Sequence, residues 1–253
     1  MNADELEGRV ALVTGGGSGI GRATALVLGA RGASVVVADV DEAGAAETAK
    51  LIGADARAIS VPADVTDPES VDRMVAATVE RFGSLDWACN VAGVSNLPKP
   101  FTDHTLAEWQ RVIDVDLTGV FLCMQAELRQ MVTQGRGAIV NVSSGAGMVA
   151  APGMPQYTAA KHGVLGLTKQ AAQEYARSGI RVNAVLPGQT ETAPMRAHLD
   201  AQPDGGERML RGLPAGRMAT PGEIAESIVW LCSDAASYVN GVSLLVDGGL
   251  IAR

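Results

Sequence analysis

The chain has 253 residues, a length that one α/β domain can occupy. Its formal charge of −8 argues against nucleic acid or an anionic membrane surface as a partner. No apolar run reaches the ~18 residues that span a bilayer, and the first residues, MNADELEGR, lack the basic and apolar parts of a signal peptide. The three cysteines, odd in number and set among apolar neighbours, indicate thiols in a reducing compartment, so we expect a cytoplasmic protein with no membrane partner.

Short apolar runs alternate with segments of helical periodicity along the chain. The predicted strands are 9–14, 34–39, 56–61, 85–89, 138–142, 181–186 and 242–246, and the predicted helices are 18–32, 41–51, 67–82, 105–131, 156–176 and 221–232. Most strands are continuous in Val, Ile and Leu, which indicates a parallel sheet covered by helices on both faces. Right-handed crossovers then predict an α/β fold, a doubly wound (Rossmann) three-layer sandwich with a seven-stranded parallel sheet, in one domain over 1–253.

One segment, 189–217, does not follow this alternation. It is polar, contains three prolines and lacks clear periodicity. We expect it to be an excursion near the carboxyl ends of the strands, where ligands bind in such folds.

A glycine-rich segment, TGGGSGIG, joins the first strand to the first helix at 14–21. Glycines leave room for a pyrophosphate to approach the backbone at a helix N-terminus, where free N–H groups and the helix dipole favour anions. The spacing is Gly-x-x-x-Gly-x-Gly rather than the commonest dinucleotide fingerprint, and a purely structural glycine turn is the alternative. The residues predicted to bind a cofactor here are Gly15, Gly17, Ser18, Gly19, Ile20 and Gly21.

Asp39 closes the second strand, where a carboxylate can accept hydrogen bonds from ribose hydroxyls and would repel a 2′-phosphate. A helix-capping Asp is the alternative, although Asp41 is better placed for capping. No Lys or Arg occupies 16–18 or the next position, Val40, so the sequence favours NAD over NADP.

Two further strand ends are predicted to shape the cofactor site. Asp64 and Val65 follow the third strand, where the adenine ring would end, although Asp64 could equally be a turn residue. After the fourth strand, Ala92 and Gly93 can let a cofactor lie against the backbone, and Asn90 can bond a neighbouring strand or loop.

Candidate catalytic residues follow the fifth strand. Ser144 comes two residues after that strand, Tyr157 begins the next helix thirteen residues later, and Lys161 follows at helical spacing. A Tyr–Lys pair of this kind occurs by chance in many helices. Combined with a dinucleotide site, however, it suits hydride transfer from an alcohol, because Ser144 can hold the substrate oxygen, Tyr157 can take its proton, and a nearby ammonium favours the phenolate.

Together these features resemble the short-chain dehydrogenase/reductase family, in its branch of single-domain enzymes near this length. The resemblance covers nearly the whole chain and rests on TGGGSGIG, Asp39, Asp64-Val65, NVAG (90–93), IVNVSS (139–144), YTAAK (157–161), RVNAVLPG (181–188) and the tail SDAASYVNG…VDGG. Each motif alone is weak, and the ordered set is specific.

The resemblance implies roles for particular residues. Ser144 would stabilise the substrate oxygen, Tyr157 would be the general acid/base, and Lys161 would bind the nicotinamide ribose and favour the phenolate. Residues that would hold the carboxamide end of the nicotinamide are Pro187, Gly188, Thr190 and Thr192. The resemblance also implies a mobile substrate lid beyond Thr192 and a homotetramer that pairs the helices beginning near 105 and 156.

One position departs from the family pattern. The family usually has Asn in a V-N-L-x-G sequence, where it supports a water-linked proton relay to the lysine, whereas this chain has Asp116 there. If ionised, Asp116 would favour the charged form of Lys161. The backbone carbonyl does much of the water binding in the family, so our hypothesis is that the relay persists with Asp116 among the catalytic residues.

The sequence therefore predicts an NAD-dependent oxidoreductase that interconverts a secondary alcohol and a ketone, with a small-molecule substrate. Methionines in the expected pocket walls, 145–156 and 193–213, suggest a fairly apolar substrate of modest size, although such residues are as often plain packing. The alternatives are a 3-oxoacyl-thioester reductase using NADPH and a nucleotide-binding regulator or scaffold without turnover. The three histidines show no metal-ligand spacing, and no metal is predicted at the active site.

Overall fold

The computed structural model describes residues 6–53, 57–201 and 206–252. The strands are β1 (Val10–Thr14), β2 (Ser34–Asp39), β3 (Ala58–Pro62), β4 (Trp87–Asn90), β5 (Gly137–Val142), β6 (Ile180–Pro187) and β7 (Ser243–Val246). The helices are α1 (Gly19–Ala30), α2 (Glu42–Ile52), α3 (Pro68–Phe82), α4 (Leu106–Ile113), α5 (Gly119–Gln134), α6 (Pro155–Tyr175), α7 (Ala193–Asp200), α8 (Glu207–Arg211) and α9 (Pro221–Cys232). Across the described ranges, no helix combines the length and apolar character needed to cross a membrane.

All seven strands pair in parallel in one sheet, in the order β3-β2-β1-β4-β5-β6-β7. The strand order reverses between β1 and β4, and this reversal places the loops after β1 and β4 side by side. In doubly wound folds the ligand binds outside the carboxyl ends of the strands at such a switch point. The predicted doubly wound, seven-stranded parallel sheet is confirmed.

Burial of the strands on both faces explains their continuous apolar sequences. In β1, Ala11 and Val13 belong to a core with α1, α2 and α9, whereas Leu12 belongs to a second core with α3, α5 and α6. All three side chains are fully buried. Two apolar layers therefore hold the sheet rigidly and leave its carboxyl edge to the loops. All three cysteines are buried in these layers, as expected, and the Sγ atoms of Cys89 and Cys232 are 3.8 Å apart.

The structure differs from the prediction in two segments. The long helix predicted over 105–131 is interrupted by a π-helical segment, Asp114–Thr118, in which the Gly119 N–H bonds the carbonyl five residues earlier. Hydrophobic periodicity does not reveal this one-residue shift, because apolar residues continue on both sides of it. The segment 189–217 contains two short helices, α7 and α8, since a proline in the first turn of α7 is compatible with helix. The predicted start of the third strand at 56 lies outside the described residues.

Candidate active site

The glycine turn between β1 and α1 is built from backbone packed on backbone. A Cβ on Gly21 would collide with the carbonyl oxygen of Gly15, and one on Gly15 would lie 2.8 Å from the Cα of Ala92. Gly15 and Gly19 have φ values of +66° and +52°, which favour glycine. Ser18 precedes α1 in extended conformation and makes no side-chain capping bond, and Ile20 lies in the first turn. The turn thus presents main chain at a helix N-terminus, which fits the diphosphate of a dinucleotide.

Asp39 is fixed at the end of β2 by two backbone donors. The Gly17 N–H donates to Oδ2 at 2.8 Å, and the Asp41 N–H donates to Oδ1 at 2.9 Å. The N-cap of α2 is Asp41, which accepts from the Gly44 N–H, so the alternative capping role does not belong to Asp39. Val40 beside it is 77% exposed, an apolar surface open to a ligand. A carboxylate with spare lone pairs beside the glycine turn fits the diol of a ribose.

Arg22 is the cation that the structure places at this turn, and it is already engaged. Its guanidinium donates to the Gly17 carbonyl at 2.6 Å and to Glu47 at 2.7 Å. The Nε–H also bonds Thr48 on α2. Arg22 therefore ties the turn to α2, a role that the sequence analysis missed.

Asp64 and Val65 differ in their contacts. Asp64 is exposed and its Oδ1 accepts from the N–H and the hydroxyl of Thr66, which is the geometry of a turn residue. Val65 is buried and packs against the backbone of Gly119. Val65 is thus the member of the pair with apolar contacts at the predicted adenine site.

The turn after β4 is fastened to β1 and to the interior. The Thr14 hydroxyl oxygen accepts from the N–H groups of Val91 and Ala92 at 3.1 and 3.2 Å, and the sequence analysis did not assign Thr14 this role. The Asn90 amide donates to Asn141 Oδ1 on β5 and to Glu127 Oε2 on α5, both at 3.0 Å. Asn90 therefore bonds a neighbouring strand, which is one of the two possibilities that the sequence offers for its side chain.

Glu127 is a buried acid that the sequence analysis also missed. Its side chain is fully buried, and burial raises its pKa to about 7 although the hydrogen bond from Asn90 lowers it. Its second oxygen, Oε1, has no hydrogen-bond partner within the described ranges. The sequence carried one sign that Glu127 is buried. It lies at helical spacing between Met124 and Met131, two apolar residues on the buried face of α5.

Ser144 stands at the carboxyl end of β5 and is half-buried. Its Oγ accepts from the Ala146 N–H at 3.1 Å, which orients the hydroxyl oxygen on the turn Gly145–Gly147. The preceding residue, Ser143, is buried and donates to the Lys161 carbonyl at 2.9 Å. Ser143 thus joins the strand end to α6, so that Ser144 and the first turns of α6 share one edge of the site.

Tyr157 and Lys161 lie on one face of α6, as their spacing predicts. The Lys161 Nζ is 5.4 Å from the centroid of the Tyr157 ring. Tyr157 is half-buried, whereas Lys161 is 4% exposed and its Nζ donates to the Val142 carbonyl at 3.3 Å. The structure thus places a buried ammonium beside a partly accessible phenol.

Asp116 forms a direct ion pair with this lysine. Its Oδ2 lies 3.0 Å from Nζ, and its Oδ1 accepts from the Val94 N–H at 2.7 Å. Burial by itself lowers the pKa of Lys161, but the charges of Asp116 and Tyr157 and the hydrogen bond to Asp116 outweigh it, so the pKa is raised. A Cβ on Gly93 would lie 3.5 Å from both Nζ and Oδ2, which places the Asn90–Gly93 turn against the pair. The structure therefore joins the predicted cofactor turn and the predicted catalytic residues at Asp116.

The segment after β6 returns to the glycine turn. Gly188, after Pro187, packs against Asp247 so closely that a Cβ would lie 2.7 Å from the Asp247 Cα. Thr190 is buried and its hydroxyl donates to the Gly188 carbonyl, so this hydroxyl is turned onto its own chain. Thr192 reaches the glycine turn, since its Cγ2 would lie 3.3 Å from a Cβ on Gly19.

The remaining polar candidates lie elsewhere. His162 is exposed and bonds the Thr158 carbonyl one turn back, and His104 contacts Gly153 and Gln156. Within the part of the chain that the structure describes, no group of three or more His, Cys, Asp or Glu side chains could hold a metal ion.

The sheet order and the glycine turn at its switch point define a doubly wound protein of the dinucleotide-binding class. The family model described as enoyl-(acyl carrier protein) reductase matches residues 15–251. A curated relative, cis-4-hydroxycyclohexanecarboxylate dehydrogenase of Sinomonas cyclohexanicum, is 49% identical over 96% of this chain and 97% of its own. The short chain dehydrogenase/reductase astE of Aspergillus oryzae is 45% identical over 97% of this chain and 95% of its own.

Among solved structures, a levodione reductase crystal structure superposes with a TM-score of 0.94 at 39% identity, covering 98% of this chain and 99% of that one. The chain belongs to the short-chain dehydrogenase/reductase family, a family of oxidoreductases acting on CH–OH groups. The family and fold predicted from the sequence are thereby confirmed.

Proposed function

We propose that this protein is an NAD-dependent oxidoreductase that interconverts a secondary alcohol and a ketone, with Ser144, Tyr157 and Lys161 as its catalytic residues. The observation that carries the proposal is the buried Lys161 ammonium, 3.0 Å from Asp116 and 5.4 Å from the centre of the Tyr157 ring. Burying this charge is costly unless it is paired, and the pair lies at the edge of the sheet where ligands bind.

The roles of the residues follow from their contacts. Ser144 would hold the substrate oxygen through its hydroxyl, whose own oxygen is oriented by the Ala146 N–H. Tyr157 would take the hydroxyl proton of the alcohol at its phenolic oxygen, since the adjacent ammonium stabilises the phenolate. When bound, a nicotinamide supplies the acceptor for the hydride. For reduction of a ketone, Tyr157 would return the proton to the carbonyl oxygen.

The preference for NAD is supported by the charges at the ribose end of the site. The Asp39 carboxylate lies against the Gly17 N–H, where a 2′-phosphate would meet its negative charge. Arg22, the nearby guanidinium, is held by the Gly17 carbonyl and by Glu47. The other residues that the sequence predicts to contact the cofactor, among them Ser18 and Thr192, remain part of this proposal.

An alicyclic secondary alcohol is the substrate class we propose. Met148 and Val149, which follow the Ser144 turn, are 51% and 44% exposed, so this wall of the site offers apolar surface. Ile251 adds to it from the other end of the chain, since it lies within 3.7 Å of a Cβ built on Gly145. The name of the relative from Sinomonas cyclohexanicum, which contains a hydroxycyclohexane, agrees with such a pocket.

A 3-oxoacyl-thioester reductase is the second candidate, because a curated relative from Synechocystis sp. that is 42% identical over 97% of this chain is named 3-oxoacyl-[acyl-carrier-protein] reductase. A reductase of this kind is expected to use NADPH, and the position of the Asp39 carboxylate opposes the 2′-phosphate of that cofactor. The cofactor preference therefore discriminates the two candidates in part, and the substrate panel below completes the test.

The working form we propose is a cytoplasmic homotetramer. Trp109 on α4 and Phe121 on α5 are 37% and 45% exposed, so these helices present apolar side chains that a second copy could cover. Light scattering of the purified protein tests the subunit number.

The function is tested by initial rates with purified protein and a panel of alcohols. We expect NAD⁺ reduction with cyclohexanol and 4-substituted cyclohexanols, and slower rates with NADP⁺. Reduction of an acetoacetyl thioester by NADPH at higher efficiency would instead establish the second candidate. Binding of NADH without turnover of any panel member would favour a regulator or scaffold.

A further inference from the structure

The backbone turn that leads into Tyr157 is held by a segment from another part of the chain. The Gly153 carbonyl accepts two hydrogen bonds, from the Lys99 N–H at 3.1 Å and from His104 Nε2 at 3.0 Å. Gly153 has a φ of +79°, and a Cβ on it would lie 2.9 Å from Pro98. The segment 98–104 is therefore packed directly on the turn before α6.

Gln156, the residue before Tyr157, contacts the same histidine. Its side chain is fully buried, and Nε2 lies 3.2 Å from His104 Nδ1. The other amide atom, Oε1, has no hydrogen-bond partner among the residues the structure describes. Burying an amide oxygen without a partner is costly, so another interaction must fix the amide in this orientation.

The tautomer of His104 fixes the orientation of the Gln156 amide. The Gly153 carbonyl can only accept, so Nε2 must carry a proton. In a neutral imidazole Nδ1 is then an acceptor, and it requires the NH₂ group of Gln156 to face it. With a neutral imidazole, the two contacts are thus satisfied together only in the orientation observed, which leaves Oε1 without a partner.

We propose that His104 and Gln156 are positioning residues for catalysis, which act by holding the first turn of α6 and so the phenol of Tyr157. Tyr157 is the third residue of α6, and the N-cap residue, Met154, makes no side-chain capping bond. The direction in which the helix starts therefore depends on the Gly153 turn and its external contacts. This inference rests on the proposed role of Tyr157, because a misplaced phenol matters only if it transfers the proton.

Four variants test this clamp, which consists of the contacts of His104 with Gly153 and Gln156. The amide of Gln carries a donor that can replace imidazole Nε2 and an acceptor that can replace Nδ1, so His104→Gln can keep the contacts with Gly153 and Gln156, whereas His104→Ala loses both. Gln156→Met keeps the volume of the side chain and removes its donor. The fourth variant combines His104→Ala with Gln156→Met. Because a small shift of a catalytic group is costly, we expect kcat to fall about tenfold for His104→Ala and for Gln156→Met, and less than about threefold for His104→Gln.

The readout is kcat per NADH-binding site, measured by fluorescence titration, together with the NADH Kd and the substrate KM. A structural role alone would lower the melting temperature and the number of sites, but not kcat per site. If the residues form one clamp, the double variant should lose about tenfold rather than about a hundredfold, since coupled residues are not additive. His162→Gln, on the exposed face of α6, is the matched control and should keep wild-type kcat.

Two results would overturn the inference: kcat per site within twofold of wild type in His104→Ala, or a double variant whose losses multiply. Failure of the proposed function would look different. In that case the wild type and His162→Gln would also lack alcohol-dependent NAD⁺ reduction, or Tyr157→Phe would keep full activity.

Discussion

Two acidic side chains on neighbouring stretches of the same long helical segment are both fully buried, yet their surroundings differ in charge. Asp116, in the π-helical segment, has the Lys161 ammonium 3.0 Å away and the Val94 N–H at 2.7 Å. Glu127, about three helical turns further along, is met only by the neutral Asn90 amide within the described residues. Burial raises the pKa of Glu127 to about 7, whereas the pKa of Lys161 is raised beside Asp116 in spite of burial.

The difference shows what decides the charge of a buried group in this protein. Removal from water penalises any charge, and an opposite charge at contact distance or hydrogen bonds to the charged form compensate for it. Asp116 and Glu127 are equally buried, so depth in the core does not distinguish them. They differ in the group that each one contacts, a lysine ammonium for Asp116 and a neutral amide for Glu127.

Glu127→Gln should change how stability depends on pH. The folded protein holds the Glu127 proton with a pKa of about 7 against 4.5 for the ordinary value, so wild type loses stability as pH rises from 4.5 through 7. The neutral glutamine has no such loss. We expect the stability of the variant relative to wild type to improve by about 2–3 kcal/mol between pH 5 and pH 8, measured by urea unfolding.

Glu80→Gln on the exposed face of α3 is the control, and its stability relative to wild type should change little over this pH range. If the stability of Glu127→Gln differed from that of wild type by the same amount at pH 5 and pH 8, folding would not raise the pKa of Glu127.

Asp39 offers a third case, a half-buried carboxylate held by two backbone N–H groups rather than by a cation. Asp39→Ala removes both the ribose acceptor and the charge that opposes a 2′-phosphate. We expect the ratio of kcat/KM for NAD⁺ to that for NADP⁺ to fall by about tenfold or more, as about 1.4 kcal/mol of discrimination is lost. An unchanged ratio would show that Asp39 does not determine the preference for NAD⁺ over NADP⁺. Asp41→Ala, which removes the cap of α2, is the control for indirect effects.

Asp116→Asn should have the smallest effect at the optimum pH. Asparagine keeps the acceptor for the Val94 N–H, and if the water-linked relay persists, turnover should stay within a few-fold of wild type. The charge that raises the pKa of Lys161 is lost, however, so this pKa should fall and activity should decline at a lower pH on the alkaline side. A pH–rate profile measures both effects, and a change of orders of magnitude at the optimum would refute the relay hypothesis.

Part of the fold and of the candidate site could be predicted from the sequence alone. The seven strands follow from continuous apolar runs, and the capping role of Asp41 and the shared face of Tyr157 and Lys161 follow from local spacing. These features depend on interactions within a few residues of the chain. The contact of Lys161 with Asp116 was expected only as an electrostatic influence, and the structure adds the distance.

Other features depend on contacts between residues far apart in the chain, which periodicity does not encode. The bonds from Asn90 to Glu127 and Asn141 span 37 and 51 residues, and the contact between His104 and Gln156 spans 52. Each requires the sheet order and the helix positions before it can be recognised. A polar residue in an apolar stripe, as at Glu127, was the available sign, but the stripe does not reveal the partner.

The central claim is that Tyr157 transfers the proton beside a buried, charged Lys161. Tyr157→Phe keeps the ring 5.4 Å from Nζ and removes only the hydroxyl. We predict that the purified variant binds NADH within about threefold of wild-type affinity while kcat with a cyclic alcohol falls by about 10²- to 10⁴-fold, the usual contribution of a general acid–base group. A variant that binds NADH and turns over at the wild-type rate would contradict the account.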